Sequence, residues 1–284
     1  MKSLSRYIQE KLIINSLQEK LVIKKSNHYK YFPQSKEELR AIIEKRIKAE
    51  GAEVDLNDID TSKITDMSNL FEDLDFNGDI SIWDVSNVKN MSSMFYMCNK
   101  FNQDISQWDV SNVADMSYMF YMCNKFNQDI SNWDVSNVKD MGDMFRGCEN
   151  FNQDISNWDV SNVKNMNNMF SNCISFNQDI SSWDVSNVAD MSNIFSICTK
   201  FNQNISAWDV SNVLNMSYMF YGCKVFNQDI SAWDVSNVNY MNCMFLECES
   251  FNKDISSWDV QNVKNMEHIF DMCPIKENYK PKFK

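Results

Sequence analysis

Proline and glycine are scarce, three and five in 284 residues, which excludes a collagen-like chain and a Pro/Gly-rich linker. Histidine occurs twice, as His28 and His268, far apart and in no motif. No nucleophile elbow, phosphate loop or metal-ligand spacing is present, and no two cysteines form a C-x-x-C pair, which speaks against zinc. No apolar run reaches the ~18 residues that a membrane span needs. The N-terminus lacks the apolar stretch and small-residue cleavage site of a secretory signal, so the expectation is a chain made and kept in the cytoplasm. Nothing here supports an enzyme.

What the chain does have is a period. All eight tryptophans fall 25 residues apart: Trp83, Trp108, Trp133, Trp158, Trp183, Trp208, Trp233 and Trp258. A fixed period of 20–50 residues marks a stacked-repeat architecture, which grows lengthwise and needs no single central core. Eight of the nine cysteines share one repeat position, from Cys98 to Cys273, flanked by apolar residues. That predicts a column of small, buried, reduced thiols; bridges between neighbouring repeats are the alternative.

Charge is distributed unevenly. Residues 1–50 carry 12 basic and 6 acidic side chains (+6), residues 51–273 carry 11 and 32 (−21), and residues 274–284 carry 4 and 1 (+3), which sum to the net −12. An acidic array repels nucleic acid, whose binding requires clustered cations, and suits cations or a basic protein surface.

Taken in order, residues 1–54 read as an N-terminal helical cap or docking segment. An apolar stripe through Leu4, Tyr7, Ile8, Leu12, Leu17 and Leu21 predicts an amphipathic helix over 2–24. Such a helix could pack on a neighbour, a partner helix or a membrane surface. Ser35 with Glu38 forms a capping box and Gly51 supplies a stop, so a second helix is predicted over about 36–50, its apolar face lying over the open end of the first repeat. Residues 55–75 are a degenerate first repeat, in which Leu56, Ile59, Ile64, Met67 and Phe71 align with Ile80, Trp83, Val88, Met91 and Phe95 at an offset of 24. Eight full repeats fill 76–273, and 274–284 form a polar tail.

Within a repeat such as 126–150, Ile130, Trp133 and Val135 suggest a short extended segment. Val138, Met141, Phe145 and Cys148 then follow at helical spacing. The expected fold is therefore an α/β solenoid with one short parallel strand and one short helix per 25 residues. The I-x-x-W-x-V-x-x-V run resembles the L-x-x-L-x-L core of a leucine-rich repeat, and V-x-x-M-x-x-M-F-x-x-C resembles the second half of the BspA-like leucine-rich repeats. The unit FNQDISxWDVSNVxxMxxMF is similar to the 25-residue variant of that family in bacterial surface proteins. The resemblance covers 55–273. It implies a right-handed parallel solenoid, a bacterial or phage source, adhesion or recognition as the role, and a surface- or particle-associated location.

Two columns matter for function. The tryptophans are expected inside; an exposed aromatic ladder for sugars or bases is the alternative. Beside them Asp84, Asp109, Asp134, Asp159, Asp184, Asp209, Asp234 and Asp259 are expected to face outward in register, ~5 Å apart, where adjacent carboxylates repel by roughly 1 kcal/mol in water. Solvent screening, backbone or Ser hydroxyl hydrogen bonds, bound calcium or a basic partner could each offset this. A second column, Asp79 to Asp254 with Asn204 replacing one acid, reads as turn acceptors. Tyr96, Tyr118, Tyr121, Arg146, Tyr218, Tyr221 and Tyr240 vary between repeats. They are either unconstrained solvent positions or recognition residues. The sequence thus points to a non-enzymatic protein-recognition or adhesion scaffold presenting an acidic face, with a structural spacer of a particle or envelope as the alternative. It requires no cofactor, with calcium the one candidate, and leaves the oligomeric state open.

Overall fold

The computed structural model describes residues 28–283, so the amphipathic stripe over 2–24 lies outside the described residues. Helix α1 spans Lys36–Glu50, as the capping box and Gly51 require. Ser35 accepts the backbone N–H of Glu38 at 3.3 Å, and Glu38 in return accepts the N–H of Gln34 at 2.7 Å. Gly51 sits at φ 96 and closes the helix by donating to the Ile47 carbonyl at 2.9 Å.

The repeats depart from the strand-plus-helix expectation. Among the described residues α1 is the sole α-helix, and no run of β-strand forms. Each 25-residue rung is a closed chain of tight turns. In 76–100, Trp83 donates to Ile80, Val88 to Val85, Met94 to Met91, Tyr96 to Ser93 and Cys98 to Phe95, every bond spanning three residues. Ser93 at φ 55 and Met97 at φ 60 lie in the left-handed region, as do Tyr118 and Met122 in the following rung. A left-handed residue every four positions prevents a helix from propagating. What remains of the sheet is one parallel bridge per rung, Asn90 to Asp115, Asp115 to Asp140 and onward to Asn265. The fold is a stack of turn-built rungs, not an α/β leucine-rich-repeat solenoid.

The rungs are joined by a directional ladder. The N–H groups of Met91, Ser93, Phe95 and Met97 donate to the carbonyls of Asp115, Ser117, Met119 and Tyr121 at 2.8–2.9 Å. Each accepting carbonyl belongs to a peptide unit whose own N–H donates to the next rung: Met116 to Asp140, Tyr118 to Gly142, Phe120 to Met144 and Met122 to Arg146. Four chains of amides therefore run along the stack with their N–H ends toward the C-terminus, one of them interrupted between Met166 and Asp190. The i→i+3 turns use the intervening amides, so the backbone groups of this segment find partners without a helix.

Side chains fill the interior in columns. Ile80, Val88, Met91, Met94, Phe95, Cys98 and Phe101 are fully buried, and their equivalents repeat this down the stack until the last rung, where Val263, Phe270 and Cys273 are partly buried and Met266 is exposed. Phe95 stacks on Phe101 at 3.9 Å and on Phe120 at 5.5 Å, interleaving two phenylalanine columns. Burying each ring stabilises by about 1.5–3 kcal/mol. The tryptophans are inside, 3–5 % exposed, which removes the exposed-ladder alternative. All nine cysteines are free thiols. Those of the column from Cys98 to Cys248 donate to the preceding rung, Cys148 to the Phe120 carbonyl at 3.0 Å.

The two ends differ. Leu39 and Ile43 of α1 are fully buried on the degenerate first rung. Lys36 reaches Asp66 and Ser68, both at 2.8 Å, and Arg40 donates to the Asn69 carbonyl. These cations sit where the four amide chains end in carbonyls, a placement that complements the aligned peptide dipoles, as cations do at a helix C-terminus. At the other end the tail wraps back. Tyr279 accepts the Ile255 N–H at 3.0 Å, Lys276 donates to Asn252 at 3.1 Å, and Ile275 is buried. The tail thus meets the last rung at Asn252 and Ile255 and leaves Met266, His268 and Met272 on the ladder side exposed.

Candidate interaction faces

The predicted aspartates do form one outward column. Asp109, Asp134, Asp159, Asp184, Asp209, Asp234 and Asp259 are exposed, and Asp84 is half-exposed beside the capped end. Each has a structural task. Asp134 Oδ1 accepts the Ser136 N–H at 3.1 Å and the Ser136 hydroxyl at 2.6 Å. The backbone bond recurs at Asp84, Asp109, Asp159, Asp184, Asp209, Asp234 and Asp259. These are Asx turns, in which a side-chain oxygen takes a donor that the chain reversal leaves over. The hydroxyl and N–H of Ser136, Ser186 and Ser236 hold Asp134, Asp184 and Asp234 below the usual carboxylate range. One oxygen of each aspartate is thereby engaged and the other faces solvent.

The second acidic column behaves alike. Asp154 accepts the Ser156 N–H at 2.9 Å, and Asn204 does the same for Ser206 at 3.0 Å. Between the two columns an open hollow of ≈ 530 Å³ is lined by Ile82, Trp83, Asp84, Asp104, Gln107 and Asp109. Among the described residues no group of three His, Cys, Asp or Glu side chains is placed to hold a metal ion.

The ladder side is a different surface. The block FNQDISxWDVSNV is nearly unchanged from rung to rung, whereas the left-handed positions and their neighbours change. Ser93, Tyr118, Asp143, Asn168, Asn193, Tyr218, Cys243 and His268 form one left-handed column, and Met97, Met122, Gly147, Asn172, Ile197, Gly222, Glu247 and Met272 form another. Of these, Met97, Tyr118, Ile197, His268 and Met272 are exposed, whereas Asp143 and Cys243 are buried. The variable tyrosines Tyr96, Tyr118, Tyr121, Tyr218 and Tyr221 stand here. Tyr96 stacks on Tyr121 at 4.6 Å with 4° between the rings, and Tyr118 lies 5.9 Å from Tyr121. The Arg146 guanidinium sits 5.6 Å from the Tyr121 centroid and pairs with buried Asp143 at 3.1 Å. Asp143 in turn raises the Tyr118 phenol, with burial adding to it. A second group, Tyr218 and Tyr221 at 6.1 Å, lies four rungs further on. The sequence signal for this face was present: Asp143, Gly147, Asn168, Asn172, Asn193 and Gly222 are residue types that tolerate left-handed backbone inside a run otherwise spaced like a helix.

Comparison with known proteins follows the same rungs. Residues 41–148, 123–223 and 180–280 match the family described as Mycoplasma protein of unknown function, DUF285. The chain belongs to DUF285. That family is one of BspA-like repeats, so the repeat likeness stands while the leucine-rich form does not. No curated protein and no solved structure matches this DUF285 chain. Among its described residues no helix is long and apolar enough to cross a membrane.

Proposed function

We propose that this chain is a non-enzymatic recognition scaffold that binds a protein partner with a basic surface. The observation that carries the reading is the separation of constant and variable positions. Core, Asx turns and amide ladder are reused in each rung, while side chains on the ladder face are exchanged freely. A scaffold that must present different contacts on one fixed frame has this pattern, and the exchanged residues include Tyr, Met and Arg, which are enriched where proteins meet. The free oxygens of Asp84, Asp109, Asp134, Asp159, Asp184, Asp209, Asp234 and Asp259 supply long-range attraction for a basic partner, and the ladder face supplies selectivity. Membership of a BspA-like repeat family supports work at a surface or on a particle, with adhesion as the specific form.

Affinity capture from native extract tests this with three baits: the intact chain, a chain with Asp→Asn along the Asp84–Asp259 column, and a chain with Tyr96→Ala and Tyr121→Ala. Captured proteins are then titrated in purified form. The expected result is one saturable partner that binds more slowly and with less salt dependence to the Asp→Asn chain, and weakly to the tyrosine variant. A chain that captures nothing with any bait, yet tolerates deletion of a whole 25-residue rung without losing its role, is a spacer.

A further inference from the structure

The ladder face holds one stack that is incomplete at one end. Along one column stand Glu72, Tyr96, Tyr121 and Arg146, each a single rung apart. Arg146 is held by two contacts at once, the Tyr121 ring at 5.6 Å and the Asp143 carboxylate at 3.1 Å. Tyr121 thus has Tyr96 on one face and a guanidinium on the other. Tyr96 has Tyr121 on one face, and its other face looks toward the first rung. There the chain places two carboxylates: Glu72 at the same register, and Asp73, whose N–H donates to the Tyr96 carbonyl at 2.9 Å. Neither carboxylate forms an ion pair among the described residues, although nearby Asp66, Asp75 and Asp143 do. Burial, then Tyr121, Asp73 and Glu72, raise the Tyr96 phenol, consistent with both acids lying close to the ring. Met97, 41 % exposed, borders the spot with a flexible apolar side chain suited to an adaptable contact.

We propose that the outer face of Tyr96, with Glu72 and Asp73, is the receptor for an arginine side chain of the protein partner. The internal Arg146 is the template. Like Arg146 on Tyr121 and Asp143, a guanidinium on Tyr96 combines an aromatic face with a carboxylate; the carboxylates here are Glu72 and Asp73, because Asn69 holds the register position of Asp143 in the first rung. Cation–π attraction favours the planar guanidinium, which also matches a carboxylate with two parallel N–H donors. Sugars fit less well, because the Tyr96 and Tyr121 faces are stacked on each other and do not lie flat to solvent. The inference rests on the recognition reading and names its anchor and the partner chemistry.

The test is a titration of the isotope-labelled full chain with N-acetyl-arginine methylamide, followed by NMR. N-acetyl-citrulline methylamide, equal in shape and uncharged, and the lysine analogue are run beside it. Saturable shifts are expected at Glu72, Asp73 and Tyr96, none with citrulline, and binding weaker by roughly five-fold for lysine and for Tyr96→Leu. Glu72→Gln with Asp73→Asn should abolish the shifts. Asp134→Asn with Asp159→Asn, on the other face, should leave them unchanged. Shifts that rise linearly, spread along Asp84–Asp259 or appear equally with citrulline overturn the proposal. If the arginine probe fails while Tyr96→Ala with Tyr121→Ala still loses the captured partner, recognition by this face stands and the arginine anchor falls.

Discussion

The indole N–H of Trp133 donates to the carbonyl of Ile105, 28 residues earlier, at 3.1 Å. The same bond joins Trp83 to Leu56 and Trp258 to Ile230, and recurs at each rung between them. Each tryptophan is thus both core filler and rivet to the rung before it, which explains why no other aromatic takes its place in the eight full rungs. Phenylalanine would fill much of the space and leave the bond unmade. The Ile105 carbonyl keeps a second donor, the Trp108 N–H at 3.2 Å, so Trp133→Phe should cost about 1 kcal/mol, the ordinary net value of one hydrogen bond. Trp133→Ala should cost about 3–5 kcal/mol through the cavity it opens. Urea unfolding of the two variants measures both.

The thiol column makes the stack sensitive to alkali. Burial pushes Cys98 up to about 12 and Cys123, Cys148, Cys173, Cys223 and Cys248 well above the ordinary thiol range. In the unfolded chain these thiols ionise near pH ~8.5. Their folded pKa is the higher one, so unfolding above that pH releases protons. The stability they contribute is complete below pH ~8.5 and falls by about 1.4 kcal/mol per thiol per pH unit as pH rises toward the folded values. Urea midpoints under reducing conditions should be flat from pH 7 to 8 and drop steeply by pH 10. An unchanged midpoint at pH 10 contradicts the buried, protonated column.

The acidic columns should be separable into geometry and charge. Asn204 already serves as a turn acceptor where its equivalents are aspartates. Asp154→Asn is therefore expected within about 0.5 kcal/mol of the parent chain, and Asp154→Ala lower by about 1 kcal/mol, because the Ser156 N–H loses its acceptor. Ser156 holds Asp154 below the usual carboxylate range, so the stabilisation by its charged form is present above pH ~3.9 and lost as pH falls through the lower folded value. Thermal unfolding at pH 7 and pH 3 compares the three chains.

The open end of the ladder should show in amide exchange. The N–H groups of Met241, Cys243, Phe245 and Glu247 donate to the last rung at 2.9–3.0 Å. Those of Met266, His268, Phe270 and Met272 have no acceptor among the described residues. Hydrogen exchange should be fast at the second set and slower by orders of magnitude at the first, since protection follows the free energy of local opening. Equal protection of both sets means that the end is covered.

Much of this was legible in the sequence. The tryptophan period fixed the rung length, and the capping box with Gly51 fixed α1. The offset of 24 between Met67 and Met91 located the degenerate first rung, where the Asp66–Asn90 bridge now stands. The inward positions of Trp133, Cys148 and Phe145 and the outward position of Asp134 also followed. What did not follow was the backbone between them. Val138, Met141, Phe145 and Cys148 are spaced as on a helix, but spacing reports only which side chains face inward. Three-residue turns that meet at Asp143 and Gly147, both at positive φ, bring the same four side chains to the core. The strand expectation failed for a related reason: Asp134 spends its side chain on an Asx turn that bends the chain directly after Trp133. The tyrosine face stands on left-handed backbone, whose only trace in the sequence is the Asp, Asn and Gly at positions such as Asp143, Gly147, Asn168 and Asn172.

The direction of the ladder has a mechanical meaning. Its hydrogen bonds lie along the stack axis, and each rung holds the next through the same few bonds. A pull between the two ends therefore loads one interface at a time, as peeling does, and does not shear many interfaces together. Rungs should come away singly from the C-terminal side, because α1 and its cations lock the other end. Each departure frees 25 residues, about 85 Å of extended chain, in exchange for one rung of height. The stack would then behave as a ratchet of equal steps, lengthening many-fold under load while the remaining rungs keep their faces intact.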